Sequence, residues 1–342
     1  MRTGLKRILL AVFVTVSFVE FLGAQQVTKV GTTAAKFLSI PVGARALGMG
    51  GAFVGVANDA SAMYWNPGGL AGLTKSEAIF SHATWLADMR FNFAAVALPM
   101  REMGTVGIHF TSLTMDEMER TTEDFPEGTG QMFSAGSVAM GVSYARRLTD
   151  WFLIGANVKY VSEYIWNSSA TGFAIDLGTL FVTPFPGVKF GAGISNFGQK
   201  LRIAGDDLLV QKDISPNEGN NPNINANLTT DMFELPLILR IGLSYDVIAS
   251  EDQALVIAID ASHPNDNSEN VNIGAEYSLF GNMLAFRGGY KAIGARDSEE
   301  KATFGGGLMY EMTQGISGRI DYAYEQFGRL QNVHKFAVSI LF

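Results

Sequence analysis

Four histidines and no cysteine are the imidazole and thiolate inventory of this 342-residue chain. His82, His109, His263 and His334 stand far apart, and no H-E-x-x-H places two imidazoles on one helix face. Without cysteine there is no thiolate site and no disulfide framework. The strained G-x-S-x-G turn that would expose a nucleophilic serine is absent, as is the phosphate-cradling P-loop. The run DASHPNDNSEN (260–270) carries Asp266, Asn267 and Asn270, oxygen ligands of the kind calcium takes, but a solvated loop is the better reading. Gly48-Met49-Gly50-Gly51 suggests a dinucleotide loop only superficially. Phe53 stands where the third glycine is needed, and no βαβ unit follows. The chain reads as a non-enzyme, with no catalytic residue, no metal and no cofactor.

What the sequence does place with regularity is charge. Lys159, Asp176, Arg240, Asp260, Glu276, Arg287, Glu311, Arg319 and Asp321 each alternate with apolar neighbours. In 237–247, Leu237, Leu239, Ile241, Leu243, Tyr245 and Val247 oppose Ile238, Arg240, Gly242, Ser244 and Asp246. The same period of two runs through 271–279 and 316–325, and it marks strands longer than the usual globular 5–6 residues. It predicts strands over 76–86, 89–99, 104–112, 134–147, 151–164, 170–183 and 188–197. A second set follows over 235–248, 253–263, 270–280, 283–292, 302–313, 316–325 and 334–342. Asp150 and Gly281-Asn282 read as tight turns, and 113–133 and 199–234 as long polar loops.

These strands need a setting. The chain is 47% hydrophobic, 17% charged and holds 38 glycines, with a mean hydropathy of +0.15. Residues 1–24 read as a secretory signal peptide: Arg2, Lys6 and Arg7, then the apolar run Ile8–Leu22, then Gly23-Ala24. Three positive charges and one negative leave with it, taking the net charge from −8 to −10. An acidic exported chain is a poor partner for nucleic acid. Beyond the signal no apolar stretch is long enough for a membrane helix. High hydropathy without such helices fits a β-barrel in the bacterial outer membrane, which spans with about 9–11 residues per strand. The expectation is therefore an all-β, transmembrane antiparallel barrel of about 14 strands. An Arg or Lys facing lipid at the midplane would cost about 2–4 kcal/mol, so the alternating charges belong in the lumen. Their mixed signs suit a pairing network better than an ion-selective ring. Aromatics near strand ends, such as Trp151, Trp166, Tyr310 and Tyr322, suit interfacial girdles. At the C-terminus Phe336, Val338, Ile340 and Phe342 alternate to the last residue, the handle expected by barrel-insertion machinery.

The stretch AAKFLSIPVGARALGMGGAFVGVANDASAMYWNPGGLAGL (34–73) fits none of these strands. Its Phe37-Leu38, Ala44-Arg45, Gly48-Met49-Gly50, Ala52, Asn58-Asp59 and Trp65-Asn66-Pro67 resemble the N-terminal signature of the PorV/PorQ family, within the wider FadL-like group of outer-membrane barrels. That family usually reads Asn-Pro-Ala where this chain has Asn66-Pro67-Gly68. The resemblance implies a barrel over 76–342 whose segment 25–75 folds inside as a hatch, carried by Ala44, Arg45, Gly48, Gly50, Asn58, Asp59, Trp65, Asn66 and Pro67. It also implies a role. PorV-like relatives serve type IX secretion, receiving exported cargo proteins among other secretion components. FadL-like relatives pass hydrophobic small molecules across the outer membrane. The first is the leading expectation and the second its alternative. A purely structural outer-membrane protein is the third.

Overall fold

Sustained alternation makes strands because successive side chains leave on opposite faces. The computed structural model describes residues 30–213, 223–295 and 298–342. The expected signal peptide and residues 214–222 of the long polar loop lie outside them. Fourteen long strands follow one another: β1 (Glu77–Thr84), β2 (Arg90–Pro99), β3 (Thr105–Thr114), β4 (Ala135–Thr149), β5 (Phe152–Ile165), β6 (Ser168–Val182) and β7 (Val188–Gly198). Then come β8 (Ile238–Ala249), β9 (Gln253–Pro264), β10 (Asn270–Leu279), β11 (Leu284–Ile293), β12 (Ala302–Thr313), β13 (Ile316–Glu325) and β14 (Val333–Leu341). Every segment expected from the alternation is among them, with no end displaced by more than three residues.

Each strand pairs antiparallel with its neighbour in sequence, and β14 returns to β1 with Phe336 opposite His82. The sheet is closed. Closure removes both edges and pairs the backbone within the wall, the condition for strands to stand in hydrocarbon. The connections distinguish two ends. Short links such as 150–151, 280–283 and 314–315 lie at the end where β1 begins and β14 stops, the turn end. The loop end carries 115–134 and 199–237. Both loops contain paired pieces that their polarity did not reveal: Met118–Glu119 with Met132–Phe133, and Leu209–Lys212 with Ile224–Asn227.

The two faces of the wall differ in kind. On β8, Leu239, Ile241, Leu243 and Tyr245 are exposed, while Ile238, Arg240 and Ser244 are buried. The inward side chains meet the chain that precedes β1. This segment is irregular, with two short helices, α1 (Ala44–Gly48) and α2 (Ala62–Trp65), and a 3-10 turn at Pro67–Gly72. Its Phe37, Leu47, Met49, Phe53, Met63 and Leu70 are buried and share one apolar cluster with Phe91 and Phe93 of β2. The segment starts at the loop end, where Thr33 bridges Glu234 and the Lys36 Nζ sits 2.7 Å from the Asp266 carboxylate. It reaches the turn end at β1.

The Thr33–Glu234 bridge is testable because the chain has no native cysteine. The double variant Thr33→Cys/Glu234→Cys should oxidise to a disulfide-linked species of altered mobility on a non-reducing gel. Thr33→Cys/Glu251→Cys, which pairs opposite ends of the barrel, should not. Equal cross-linking in both would refute the placement.

Candidate functional site

The residues singled out in the sequence meet in a ring of charges. Arg45, on α1, forms a bidentate pair with Glu276 of β10 at 2.7 and 2.8 Å. Glu276 also accepts from Arg287 of β11 at 2.5 Å, and Arg287 donates to Asp321 of β13 at 2.7 Å. Asp321 accepts from Arg319 at 3.0 Å, and Arg319 lies 3.7 Å from Asp59, which returns to Arg45 at 3.1 Å. Signs alternate around the closed circuit, so each charge has two opposite neighbours. Glu77 of β1 joins at Arg319, 2.7 Å away, and its other oxygen accepts from the Ala60 N–H at 2.8 Å. Asn58 accepts from Arg45 at 2.6 Å. All of these but Asn58 are buried or nearly so.

Other wall residues bind the segment through its backbone. Asp260 of β9 accepts from the N–H groups of Phe53 and Val54 at 2.7 and 2.8 Å. Asn66 donates to the carbonyls of Val54 and Thr179, each at 2.9 Å, and accepts from the Gly68 N–H at the start of the Pro67 turn. The Trp65 indole donates to the Val42 carbonyl at 3.1 Å. Glycines on both partners let the backbones meet. A Cβ on Gly155 would strike the Pro67 carbonyl, on Gly178 the Asn66 side chain, on Gly191 the Val54 carbonyl, and on Gly274 the Met49 carbonyl. From the segment's side, Gly50 has φ +67° and a Cβ there would stand 2.6 Å from the Ile273 carbonyl, while Gly48 abuts Arg287 and Gly305. The Asn-Pro-Gly departure has the same cause: a Cβ on Gly68 would lie 2.8 Å from the Gly178 carbonyl. Ala44 is fully buried.

The remaining singled-out charges do not enter the ring. Lys159 of β5 and Asp176 of β6 form their own buried pair at 2.9 Å, extended by Asn157, His109 and Asn196. Arg240 lies between Tyr64 and Trp65. Glu311 shares the inward parity of β12 but is exposed at the turn end, where it accepts from the Gly315 N–H; it belongs to the rim and not to the lumen. Phe336, Val338 and Ile340 point outward and are exposed. Phe342, also exposed, exchanges backbone hydrogen bonds with Ser76. The run 260–270, expected as a solvated loop, is one only in part: 260–264 end β9 and 270 begins β10. Asp266 is buried and accepts from Lys36 and Thr33, while Asn270 accepts from Ser262. These acceptors do not converge, and among the described residues no group of three His, Asp or Glu is placed to hold a metal.

Sequence reasoning passed over Glu77, Glu163, Lys291, Glu325 and Lys335. Glu163 accepts from the Ala35 N–H at 2.8 Å, Lys291 pairs with Glu300 at 2.7 Å and with Glu325, and Lys335 donates to the Pro41 carbonyl. All five have the inward parity of their strands, the signal by which the other charges were found. Outside the lumen, at the loop end, Phe133, Ile165, Trp166, Ile203 and Leu208 line an apolar hollow of about 350 Å³, with Arg120 and Asp207 at its rim. The Arg120 guanidinium lies 5.2 Å over the Trp166 ring. Desolvation raises the Asp207 carboxyl, but the Ser168 hydroxyl, the Asn167 donors and the Arg120 charge together outweigh it and hold the group below the ordinary carboxylate range.

The comparisons follow the same outline. The sequence model of one family, described as an uncharacterised protein family (UPF0164), matches residues 12–139. No curated protein matches the sequence. Among solved structures, the chain superposes on the toluene transporter TodX of Pseudomonas putida with a TM-score of 0.58 at 13% identity, covering 88% of this chain and 97% of that one. The toluene transporter TbuX of Ralstonia pickettii gives 0.56 at 12%, over 88% and 97%. CymD, a monoaromatic hydrocarbon channel, gives 0.56 at 14%, over 88% and 96%. The fold is that of the FadL-type outer-membrane barrels. At these identities the likeness concerns the fold.

Two variants probe the packed interior. Arg45→Ala leaves Glu276 and Asp59 buried and under-compensated, so unfolding in urea should show a loss of about 3–5 kcal/mol. Gly274→Ala should cost about 1–3 kcal/mol by overpacking against Met49. Gly288→Ala, with nothing within 4 Å of its new Cβ, should stay within about 0.5 kcal/mol of the parent.

Proposed function

We propose that this chain is an exported outer-membrane barrel, plugged by its own N-terminal segment, that admits small hydrophobic molecules from outside the cell. The observation that carries the reading is the apolar hollow at the loop end, roomy enough for an aromatic hydrocarbon and roofed by Trp166. Hydrophobic lining with a few polar groups at the rim is the usual build of a small-molecule site. The fold likeness to transporters described for toluene and other monoaromatic hydrocarbons supports this choice of solute class. The apolar outer face supports placement in lipid, and the outward Phe336, Val338, Ile340 and Phe342 suit recognition by insertion machinery.

Reception of secreted cargo, the role implied by the PorV/PorQ resemblance of residues 34–73, is the second reading. It is favoured by the protruding hairpin 115–134, which exposes Met118, Phe125 and Met132 beside several carboxylates, a surface suited to protein contact.

Toluene titrated into the protein in lipid nanodiscs should quench tryptophan emission saturably. Leu208→Asp should weaken that binding at least tenfold. Emission indifferent to toluene would remove the transport reading. Deleting the gene should then leave exported proteins stranded in the periplasm if the second reading holds, and normal export would dismiss it.

A further inference from the structure

One side of the lumen is polar and carries a guanidinium that, among the described residues, no carboxylate contacts as an ion pair. On β9 and β10, Ser262, Asn270 and Asn272 point inward and are only half-buried. Ser262 donates to Asn270 at 2.7 Å. Tyr64, projecting from α2, is likewise half-buried. All four side chains keep accessible surface, and Ser262 and Asn270 stand at the loop-end limits of β9 and β10. Arg240 stands at the floor of this vestibule, 8% exposed. Its guanidinium lies 5.2 Å from the Tyr64 ring centre and 5.6 Å from that of Trp65. It donates to the Ser195 hydroxyl at 3.2 Å and to the Tyr64 hydroxyl at 3.4 Å.

The charge balance around it is unequal. Among the described residues no carboxylate forms an ion pair with Arg240, whereas Arg45, Arg287, Arg319, Lys159 and Lys291 each have at least one. Lys291 is matched by Glu300 and Glu325. Asp260, diagonal to Arg240 across the β8–β9 pair, attracts it through space without touching it: one oxygen accepts from the Phe53 and Val54 amides, and the other has no hydrogen-bond partner. A guanidinium offers five N–H donors in a fixed fork. Two long bonds to hydroxyls leave most of that fork unused, and a buried cation without a direct ion-pair contact is costly.

We propose that this vestibule is a binding site for a small hydrophilic oxyanion, a carboxylate or phosphate group held by the Arg240 fork. Bidentate pairing with such groups is what the guanidinium geometry serves best. The Ser195 and Tyr64 hydroxyls hold the fork in place and can turn to donate to the same anion. The Ser and Asn lining solvates a polar solute, so the ligand is of a different class from the occupant of the loop-end hollow. The inference does not depend on the transport reading, and either can fail alone.

The test is calorimetric titration of the full chain in detergent with inorganic phosphate and, separately, acetate. Saturable binding of either probe is expected. Arg240→Gln should weaken it at least tenfold, Arg240→Lys should retain part of it, and Lys200→Gln at the outer surface should leave it unchanged. If Arg240→Gln fails to give the heat-modifiable band of a folded barrel, Ser195→Ala and Tyr64→Phe serve, since both keep the cation. Each should weaken binding severalfold. Absence of saturable binding to the wild type, or unchanged binding in the folded Arg240→Gln or in both milder variants, overturns the site.

Discussion

A charge turned into a closed barrel must find its opposite there, and the ring of Arg45, Glu276, Arg287, Asp321, Arg319 and Asp59 is how this chain answers that constraint. Four of the six members stand on the wall and two on the segment inside it. Neither part is electrostatically complete alone. Withdrawing the segment would leave Glu276 short of one guanidinium and Arg319 short of one carboxylate, both in a poorly solvated interior. Uncompensated charges of that kind cost several kcal/mol. The wall and the segment therefore share one set of paired charges.

The glycines belong to the same coupling. Glycine weakens a strand, since it loses more backbone entropy and has no side chain to pack. Here Gly155, Gly178, Gly191 and Gly274 accept that weakness at inward positions so that the segment's carbonyls and side chains can lie against the wall. The loss is offset by bonds made at that short range: Asn66 to Thr179, Asp260 to the Phe53 and Val54 amides, and Ser244 to the Gly55 carbonyl. Large apolar side chains from the segment, Phe53 and Met63 among them, then fill the space that a wall of small inward residues would leave empty.

The strands were legible because their information is local. Alternation fixes both the strand and the face of every residue in it, so the inward charges could be named from the sequence. Their partners could not. Arg45 and Glu276 are 231 residues apart, and only closure through β1 and β14 brings α1 against β10. Glu311 misled because parity gives the face and not the height, and this residue is at the rim. Lys335 was hidden by the C-terminal alternation of Phe336, Val338, Ile340 and Phe342, which drew attention to the outward face of β14. Asp266 read as a loop residue because its partners, Thr33 and Lys36, come from the segment that arrives from inside the barrel.

The segment is held along its length by different means. Residues 45–68 are held by the ring, by Glu77 and by the glycine contacts. Residues 33–42 are tied by Thr33 and Lys36 to Asp266, by the Ala34 and Ala35 amides to Glu234 and Glu163, and by Lys335 and Trp65 to the Pro41 and Val42 carbonyls, with Phe37, Leu38 and Val42 buried. The Lys36 side chain is 53% exposed, and a pair with one such partner contributes little in water. Local opening follows the low-stability end of a structure. Whatever enters from the loop end therefore meets residues 33–42 before the ring, and of their ties the half-exposed Lys36 pair is the weakest.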